Sequence, residues 1–366
     1  MKKFSKSFPR WILLLVLLVC SSAYAHERWF YDSTNYPLRW DLFFQPLPLI
    51  LVGAVLIATV GGGLFWRFRK GRDFLPDVER LGAAPERHRQ LYRLIPLILG
   101  VHVAVPLLVA AVQTEYFTFN NPLEKGPGSL FGLMLTFVAL SFAYGGFTRI
   151  AAVVLALLWL AGIPLVGLTS TLENIHFLGF AAFFFLNGRG PLAIDRLIFP
   201  RLEPSAERMK RAVPVLRFIL GLNFVILAFT EKFANIPLSL SFLQEYPLNF
   251  TGALGIPLSD TVFVLCAASV ELIVGLWLML GIFPREVIVV AWLPFNLTLT
   301  QFNWVELVGH LPIYGAMATL LVWENNSKGI GRWLEGMRQG HLGIGDPRGP
   351  TEDLTEELGE GRSSAD

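Results

Sequence analysis

The sequence predicts an all-α integral membrane protein of about nine transmembrane helices. Of its 366 residues, 54% are hydrophobic and only 16% are charged, whereas about 25% of residues are charged in a soluble domain. Apolar runs of about 20 residues, the length that spans the hydrocarbon core, recur along the chain. Two groups of these runs, 94–199 and 212–329, carry matching polar residues. We therefore expect one N-terminal helix followed by two tandem four-helix bundles.

Residues 1–25 have the features of a secretory signal peptide. A basic stretch precedes the short apolar run 11–19, and the segment ends in Ala23-Tyr24-Ala25, a cleavage site flanked by small residues. Cleavage after Ala25 makes His26 the first residue of the mature chain. The alternative is an uncleaved first helix.

The remaining elements follow in order along the chain. The predicted spans are residues 46–66, 94–113, 129–147, 150–168, 175–187, 212–230, 261–283, 286–303 and 308–323. Segments 26–45 and 233–260, rich in aromatic or apolar residues, are expected to lie on the membrane surface over the mouth of a bundle. The acidic segment 341–366 contains few apolar residues and is predicted to be a disordered tail.

The distribution of Lys and Arg predicts the orientation. Loop 67–93 is rich in both residues. If it is cytoplasmic, 22 Lys and Arg residues of the mature chain lie on the cytoplasmic side and four on the other. Cytoplasmic loops carry such an excess. We therefore expect an inner-membrane protein with a periplasmic mature N-terminus, a periplasmic segment 26–45 and a cytoplasmic C-terminus.

The two blocks share polar residues at nearly constant separations. Corresponding Arg, Glu and His residues lie 136, 133 and 134 positions apart. The matched residues are Gly145, Arg149, Glu173 and His176 in the first block and Gly281, Arg285, Glu306 and His310 in the second. These separations indicate an internal repeat.

The second block carries a recognisable order of residues. Its first predicted helix ends in Phe229-Thr230-Glu231-Lys232-Phe233, its second contains Glu271, and its last begins at Gly309-His310. With the Gly and Arg of the intervening turn, this order resembles the DoxX/DoxD family of small four-helix membrane proteins, most clearly over 217–323. The first block resembles a degenerate copy.

The resemblance implies one four-helix bundle per block and an association with redox systems. Some members resemble the small membrane subunit of a thiosulfate:quinone oxidoreductase, and others accompany periplasmic maturation or redox proteins. The first block has no Glu at the position of Glu271, and Glu115 is its nearest counterpart to Glu231 and Lys232. The second block is therefore expected to hold the site, with the first as its structural partner.

Glu271 is the most informative single residue because it lies near the middle of an apolar span. A charged side chain there costs about 2.5–3.5 kcal/mol on insertion scales. It is interpreted as a proton acceptor or ligand contact beside a quinone-like molecule. The alternative is a structural hydrogen bond to Asn223, Asn296 or Thr298.

Glu231 and Lys232 come at the end of a predicted helix, where adjacent residues point in different directions. One of them is expected to face the bundle while the other meets water. Lys232 is predicted either to pair with Glu271, to hold an anionic substrate, or to extend its amine to the membrane interface.

Three histidines and two arginines complete the set of candidate residues. His310 is predicted to gate or relay protons near the surface, sharing a helix face with Glu306. His26, as a free N-terminus, would offer an amine and an imidazole suited to copper, and His176 is the second candidate metal ligand. Arg149 and Arg285 are predicted to anchor helix ends at the cytoplasmic face.

The leading hypothesis is a redox-associated membrane subunit that contacts quinone and receives electrons from a periplasmic or membrane redox protein. Its candidate catalytic residues are Glu271, Lys232, Glu231 and His310. The alternatives are a membrane protein that binds or transports a small solute or copper, and a non-catalytic assembly factor for a redox enzyme.

Overall fold

The computed structural model describes residues 26–75, 85–190, 192–199 and 206–322. This part of the chain is helical, and its only β interaction is one isolated bridge between Glu115 and Pro122. Seven of its helices are long and apolar enough to cross a membrane. The prediction of an all-α, multi-pass membrane protein in contact with lipid is thereby confirmed. The predicted signal peptide and the acidic tail lie outside the described residues.

The helices lie close to the predicted spans. Their bounds are α1 Pro46–Phe68, α2 Pro85–Gln113, α3 Lys125–Tyr144, α4 Thr148–Glu173, α5 His176–Asn187, α6 Ala206–Leu227, α7 Ile236–Glu245, α8 Asp260–Leu280 and α9 Pro284–Val322. A π-helical turn, Ala228–Phe233, extends α6. Short helices lie at Glu27–Trp29, Trp40–Phe43, Ile194–Ile198 and Thr251–Leu254.

The last helical run, α9, contains two of the predicted spans. In a straight helix Phe295 and His310 would lie about 22 Å apart at 1.5 Å per residue. Their ring centroids are 4.5 Å apart, and those of Phe295 and Tyr314 are 6.3 Å apart. The run therefore doubles back on itself, as expected of two antiparallel spans at 286–303 and 308–323.

The two repeats share the same turn at corresponding places. Gly145 ends α3 and Gly281 ends α8, both in the left-handed conformation. Two residues later, Phe147 and Phe283 also have positive φ angles of 55° and 43°. A side chain with Cβ is strained in this region, so glycine is favoured at the first position. The repeat seen in the sequence is thus a repeat of backbone conformation.

The two blocks are joined through their first and last helices. In the first block, α2 packs mainly on α3 and on the second block's α9, while α5 packs on α4 and on the second block's α6. Most buried apolar side chains of the two blocks belong to one continuous cluster, and two smaller clusters lie along α8. The repeats therefore share a single interior.

Helices α6 and α8 approach closely where each carries a glycine. A Cβ on Gly221 would lie 2.5 Å from the carbonyl oxygen of Gly275, and a Cβ on Gly275 would lie 2.7 Å from that of Gly221. Small residues permit such contacts between membrane helices. This crossing holds the end of α6, with Lys232, beside the middle of α8, with Glu271.

Candidate functional site

A buried ion pair joins the π-helical turn to α8. The Nζ atom of Lys232 donates to Oε1 of Glu271 at 3.0 Å. Lys232 is fully buried, and Glu271 is 7% exposed. Burying such ions costs several kcal/mol each unless partners compensate. The pairing predicted between these two residues is therefore present.

Glu231 lies beside this pair, and its environment corrects an expectation. Glu231 and Lys232 are 1% and 0% exposed, so neither faces water, and Lys232 does not extend to the interface. The π turn explains the difference, because its i→i+5 bonding, such as Ala234 N to Phe229 O at 2.9 Å, widens the helix. Such turns occur frequently at functional sites.

The N-terminal segment contributes a third carboxylate. Glu27 is 1% exposed, and its two oxygens accept hydrogen bonds from the Ser239 hydroxyl at 2.8 Å. Nζ of Lys232 lies 3.9 Å from Glu27 and 3.7 Å from Glu231. Glu27, Glu231, Lys232 and Glu271 are called the buried charge cluster below.

Burial also changes the protonation of the N-terminal segment. The pKa of Glu27 is raised to about 8 because burial removes water from the carboxylate, an effect that nearby Lys232 opposes. The same removal of water lowers the pKa of His26, although Glu231 counteracts it. The carboxyl group of Glu27 therefore retains its proton near neutral pH.

The N-terminal segment also connects the two blocks. Nε of Arg28 lies 3.2 Å from Oε1 of Glu173 at the end of α4. The Asn120 side chain donates to the carbonyl of Trp29 at 2.9 Å. The Trp29 ring lies against Gly309, where a Cβ would come within 2.3 Å of it. Residues 26–29 thus close one end of the bundle over the cluster, consistent with the expectation for segment 26–45.

His310 is buried among aromatic rings next to the N-terminal segment. Its ring centroid lies 5.9 Å from that of His26, 5.0 Å from Trp29 and 4.5 Å from Phe295. Its Nδ1 is 3.2 Å from Oε1 of Glu306, so the predicted shared face exists. His310 is fully buried, so it meets solvent only if the N-terminal segment moves.

The candidate metal ligands lie in different surroundings. His26 is 6% exposed and lies 3.7 Å from Glu231, while Nδ1 of His176 bonds to the side-chain oxygen of Asn223 at 2.5 Å. Glu173 pairs with Arg28 rather than with His176. Within the described ranges, no group of three His, Cys, Asp or Glu side chains is arranged to hold a metal ion.

The alternative partners considered for Glu271 are engaged elsewhere. Asn223 bonds to His176, Asn296 donates to the Trp292 carbonyl, and Thr298 donates to Glu306. The structural alternative for Glu271 was therefore wrong in its partners, since the hydrogen bond that Glu271 accepts comes from Lys232.

Arg149 and Arg285 follow the glycine turns at the opposite end of the helices. Arg285 is 8% exposed, with Nε 3.7 Å from Asp73, and Arg149 is partly buried. Both lie next to helix starts, at α4 and α9. They are separate from the buried charge cluster. Each is the second residue of its helix, so the expected favourable interaction with the C-terminal end of a helix is absent, and anchoring at the cytoplasmic face stays a prediction.

Glu27, Arg28 and Ser239 were not predicted as site residues. Glu27 contacts residues 204 and 212 positions away, a separation that no local pattern encodes. The available signal was indirect: two charged residues open an aromatic-rich segment that was expected to cover a bundle.

Comparison with known proteins finds no matching family model, and neither a curated protein nor a solved structure matches the chain.

Proposed function

We propose that this chain is a DoxX-like membrane subunit that exchanges protons with a quinone-like molecule at the buried charge cluster, with electrons coming from a redox partner. The observation that carries the proposal is the Lys232–Glu271 pair, whose atoms are 3.0 Å apart inside the helical bundle. Buried ionisable residues in membrane helices commonly mark proton or substrate pathways.

The surroundings of the pair suit this chemistry. Three carboxylates around one ammonium group can accept and release a proton without leaving an isolated charge. Glu271 would transfer the proton, and Lys232 would stabilise an anionic oxygen. His310, beside Trp29 and Phe295, would connect the site to the surface.

In this proposal the face that carries residues 26–45 is periplasmic and the membrane is the inner membrane. The Arg-rich segment after α1, including Arg67, Arg69 and Arg72, then lies on the cytoplasmic side. A redox partner would dock at the periplasmic face, next to the cluster.

Binding of decylubiquinone to the purified protein in detergent tests the proposal. We expect saturable binding that is lost or weakened at least about tenfold, or 1.4 kcal/mol, in Glu271→Gln. Glu245→Gln is the matched control, because Glu245 is an exposed carboxylate outside the cluster. Absence of binding, or equal binding by Glu271→Gln, contradicts the proposal.

The second candidate function is copper binding or transport through His26. The observation that favours it is the position of His26, 5.9 Å from His310 and 3.7 Å from Glu231. Imidazole and amine nitrogens suit Cu(II).

The copper content of purified wild type and His26→Ala after loading distinguishes this candidate. His102→Ala is the control, because His102 donates to the Ile98 carbonyl in α2. Equal copper in His26→Ala removes the candidate.

A further inference from the structure

The described chain begins inside the bundle. His26 is 6% exposed and Glu27 is 1% exposed, although they come first among the described residues. The backbone N–H of Glu27 donates to Oε2 of Glu231 at 3.4 Å. The backbone nitrogen of His26 is therefore held close to the buried charge cluster.

The buried charge cluster has three carboxyl groups but a single ammonium group among the described residues. Lys232 is the one ammonium group within 4 Å of Glu27, Glu231 and Glu271 in the described part of the chain. Arg28 faces Glu173 instead. In addition, Oε2 of Glu271 is buried without a hydrogen-bond partner among the described residues. A buried carboxylate oxygen in this state is costly, so a further positive donor nearby would stabilise the site.

We propose that hydrolysis of the Ala25–His26 peptide bond creates a second positive donor near Glu231, and that the resulting α-ammonium group of His26 is a working member of the buried charge cluster. A membrane-bound peptidase would add water across the amide, leaving a carboxylate on Ala25 and an amine on His26. Ala23-Tyr24-Ala25 is the small-residue pattern that such peptidases cleave.

The backbone geometry gives the amine the reach it needs. Successive backbone nitrogens lie within about 3.6 Å of each other by standard bond lengths. With Glu27 N 3.4 Å from Glu231, the amine of His26 lies within about 7 Å of that carboxylate. At this distance in a site screened from water, opposite charges attract strongly. Processing would thus add a second positive charge to the site as well as remove the leader.

The same contacts would let the mature N-terminus position residues 26–29 over the bundle. Trp29 rests on Gly309, and the side chain of Arg28 reaches Glu173. An amine bound at the buried charge cluster would hold residues 26–29 in place at their N-terminal end. This inference does not depend on quinone, since it concerns only the chain's own charges.

The experiment uses the full-length gene product, purified from membranes in mild detergent. Intact mass and N-terminal sequencing are expected to show a chain that begins at His26. Acylation with an N-hydroxysuccinimide ester near pH 7, followed by peptide mass spectrometry, is expected to modify His26 at least about tenfold more slowly in the folded protein than after unfolding.

A variant with one Ala inserted between Ala25 and His26 tests the position of the amine. Its mature N-terminus is one residue longer, so we expect a lower midpoint of thermal unfolding and fast acylation in the folded state. An Ala insertion after Gly252, in an exposed turn, is the control and is expected to keep the wild-type labelling rate.

Two results overturn the proposal. One is a purified protein that retains residues 1–25 or begins elsewhere than His26. The other is a wild-type amine that reacts equally fast when folded and unfolded. Neither outcome bears on decylubiquinone binding, so failure here is distinguishable from failure of the proposed function.

Discussion

The two repeats keep the same turns but differ in what fills the space between their first and second helices. In the second block, Glu271 in α8 meets Lys232 at the end of α6. The position 136 residues before Glu271 is Leu135, which is fully buried in the first block. Aligned on Gly100 and Gly221, the counterparts of Glu231 and Lys232 are Ala110 and Ala111.

Apolar residues and a close helix contact occupy the corresponding positions of the first block. A Cβ on Gly132 in α3 would lie 2.8 Å from the carbonyl oxygen of Ala111, so the helices are in close contact there. Dispersion and close packing hold membrane helices together without any buried ion. The framework of the first block is therefore built without a charged pair at the positions of Lys232 and Glu271, so this pair is not required for the shared fold.

The largest expected effect comes from removing the single ammonium group. Lys232→Met leaves Glu27, Glu231 and Glu271 buried together, and breaking a buried pair costs about 3–5 kcal/mol. Denaturant unfolding in mixed micelles measures the loss. Lys125→Met, at an exposed site in the first block, is expected to change stability little. Equal stabilities would show that the cluster is not buried as described.

A carboxylate introduced into the first block tests whether that block tolerates the charge that the second block carries. Leu135→Glu puts a charge at the position of Glu271 without a lysine to pair with it. We expect a loss of about 3 kcal/mol, comparable to insertion costs for a charge at mid-membrane. The midpoint of thermal unfolding and the yield of folded protein report it. A variant as stable as wild type would mean that this site is hydrated.

The ion pair between the N-terminal segment and the first block is expected to contribute less to the free energy of unfolding. Arg28→Ala removes the partner of Glu173 in a pair whose side chains are 17% and 8% exposed. The expected loss is about 2 kcal/mol, because a buried carboxyl group left without its partner costs about 1–3 kcal/mol. Arg39→Ala is the control, since the Arg39–Asp41 side chains are 50% and 61% exposed and such pairs contribute under about 1 kcal/mol. Similar losses in both variants would contradict the burial of Arg28.

The smallest expected effect is the pH dependence contributed by Glu27. Burial raises the pKa of Glu27 from its ordinary value of 4.5 to about 8, so between these two pH values the native state binds more protons than the unfolded state. Its contribution to stability is therefore present below the unfolded pKa and is lost as pH rises toward 8. We expect the free energy of unfolding to decrease by about 1 kcal/mol between pH 6 and pH 7. One proton per molecule corresponds to about 1.4 kcal/mol per pH unit, and the nearby charge of Lys232 reduces this effect.

Glu27→Gln should flatten that part of the stability profile, whereas Glu245→Gln should leave it unchanged. Unfolding free energies measured at several pH values from 5 to 8 provide the test. A wild-type stability that increases over this interval would show that Glu27 is ionised in the folded protein.

The helices were largely predictable because their signal is local. Apolar runs located most of the long helices to within a few residues, and the offset between the arginines predicted that Gly145 and Gly281 end helices in the same way. The pairing of Lys232 with Glu271 was also predictable, since a charge inside the membrane needs a partner.

The contacts made by the N-terminal segment could not be predicted from local patterns. Burial of Glu27 depends on Ser239 and Glu231, each more than 200 residues away along the chain. The π turn that buries both Glu231 and Lys232 is likewise a tertiary outcome, because an ordinary helix would separate adjacent side chains by about 100°. These features arise where the repeat symmetry is broken.

The central claim is that the second block's buried charge cluster handles protons for a bound ligand. The most direct test is isothermal titration of decylubiquinone into the wild-type protein and Glu271→Gln in two buffers with different ionisation enthalpies. The account predicts that wild-type binding is accompanied by a net exchange of protons with the buffer. That exchange should be absent in Glu271→Gln and unchanged in Glu245→Gln. Binding with the same proton count in wild type and Glu271→Gln would contradict the account.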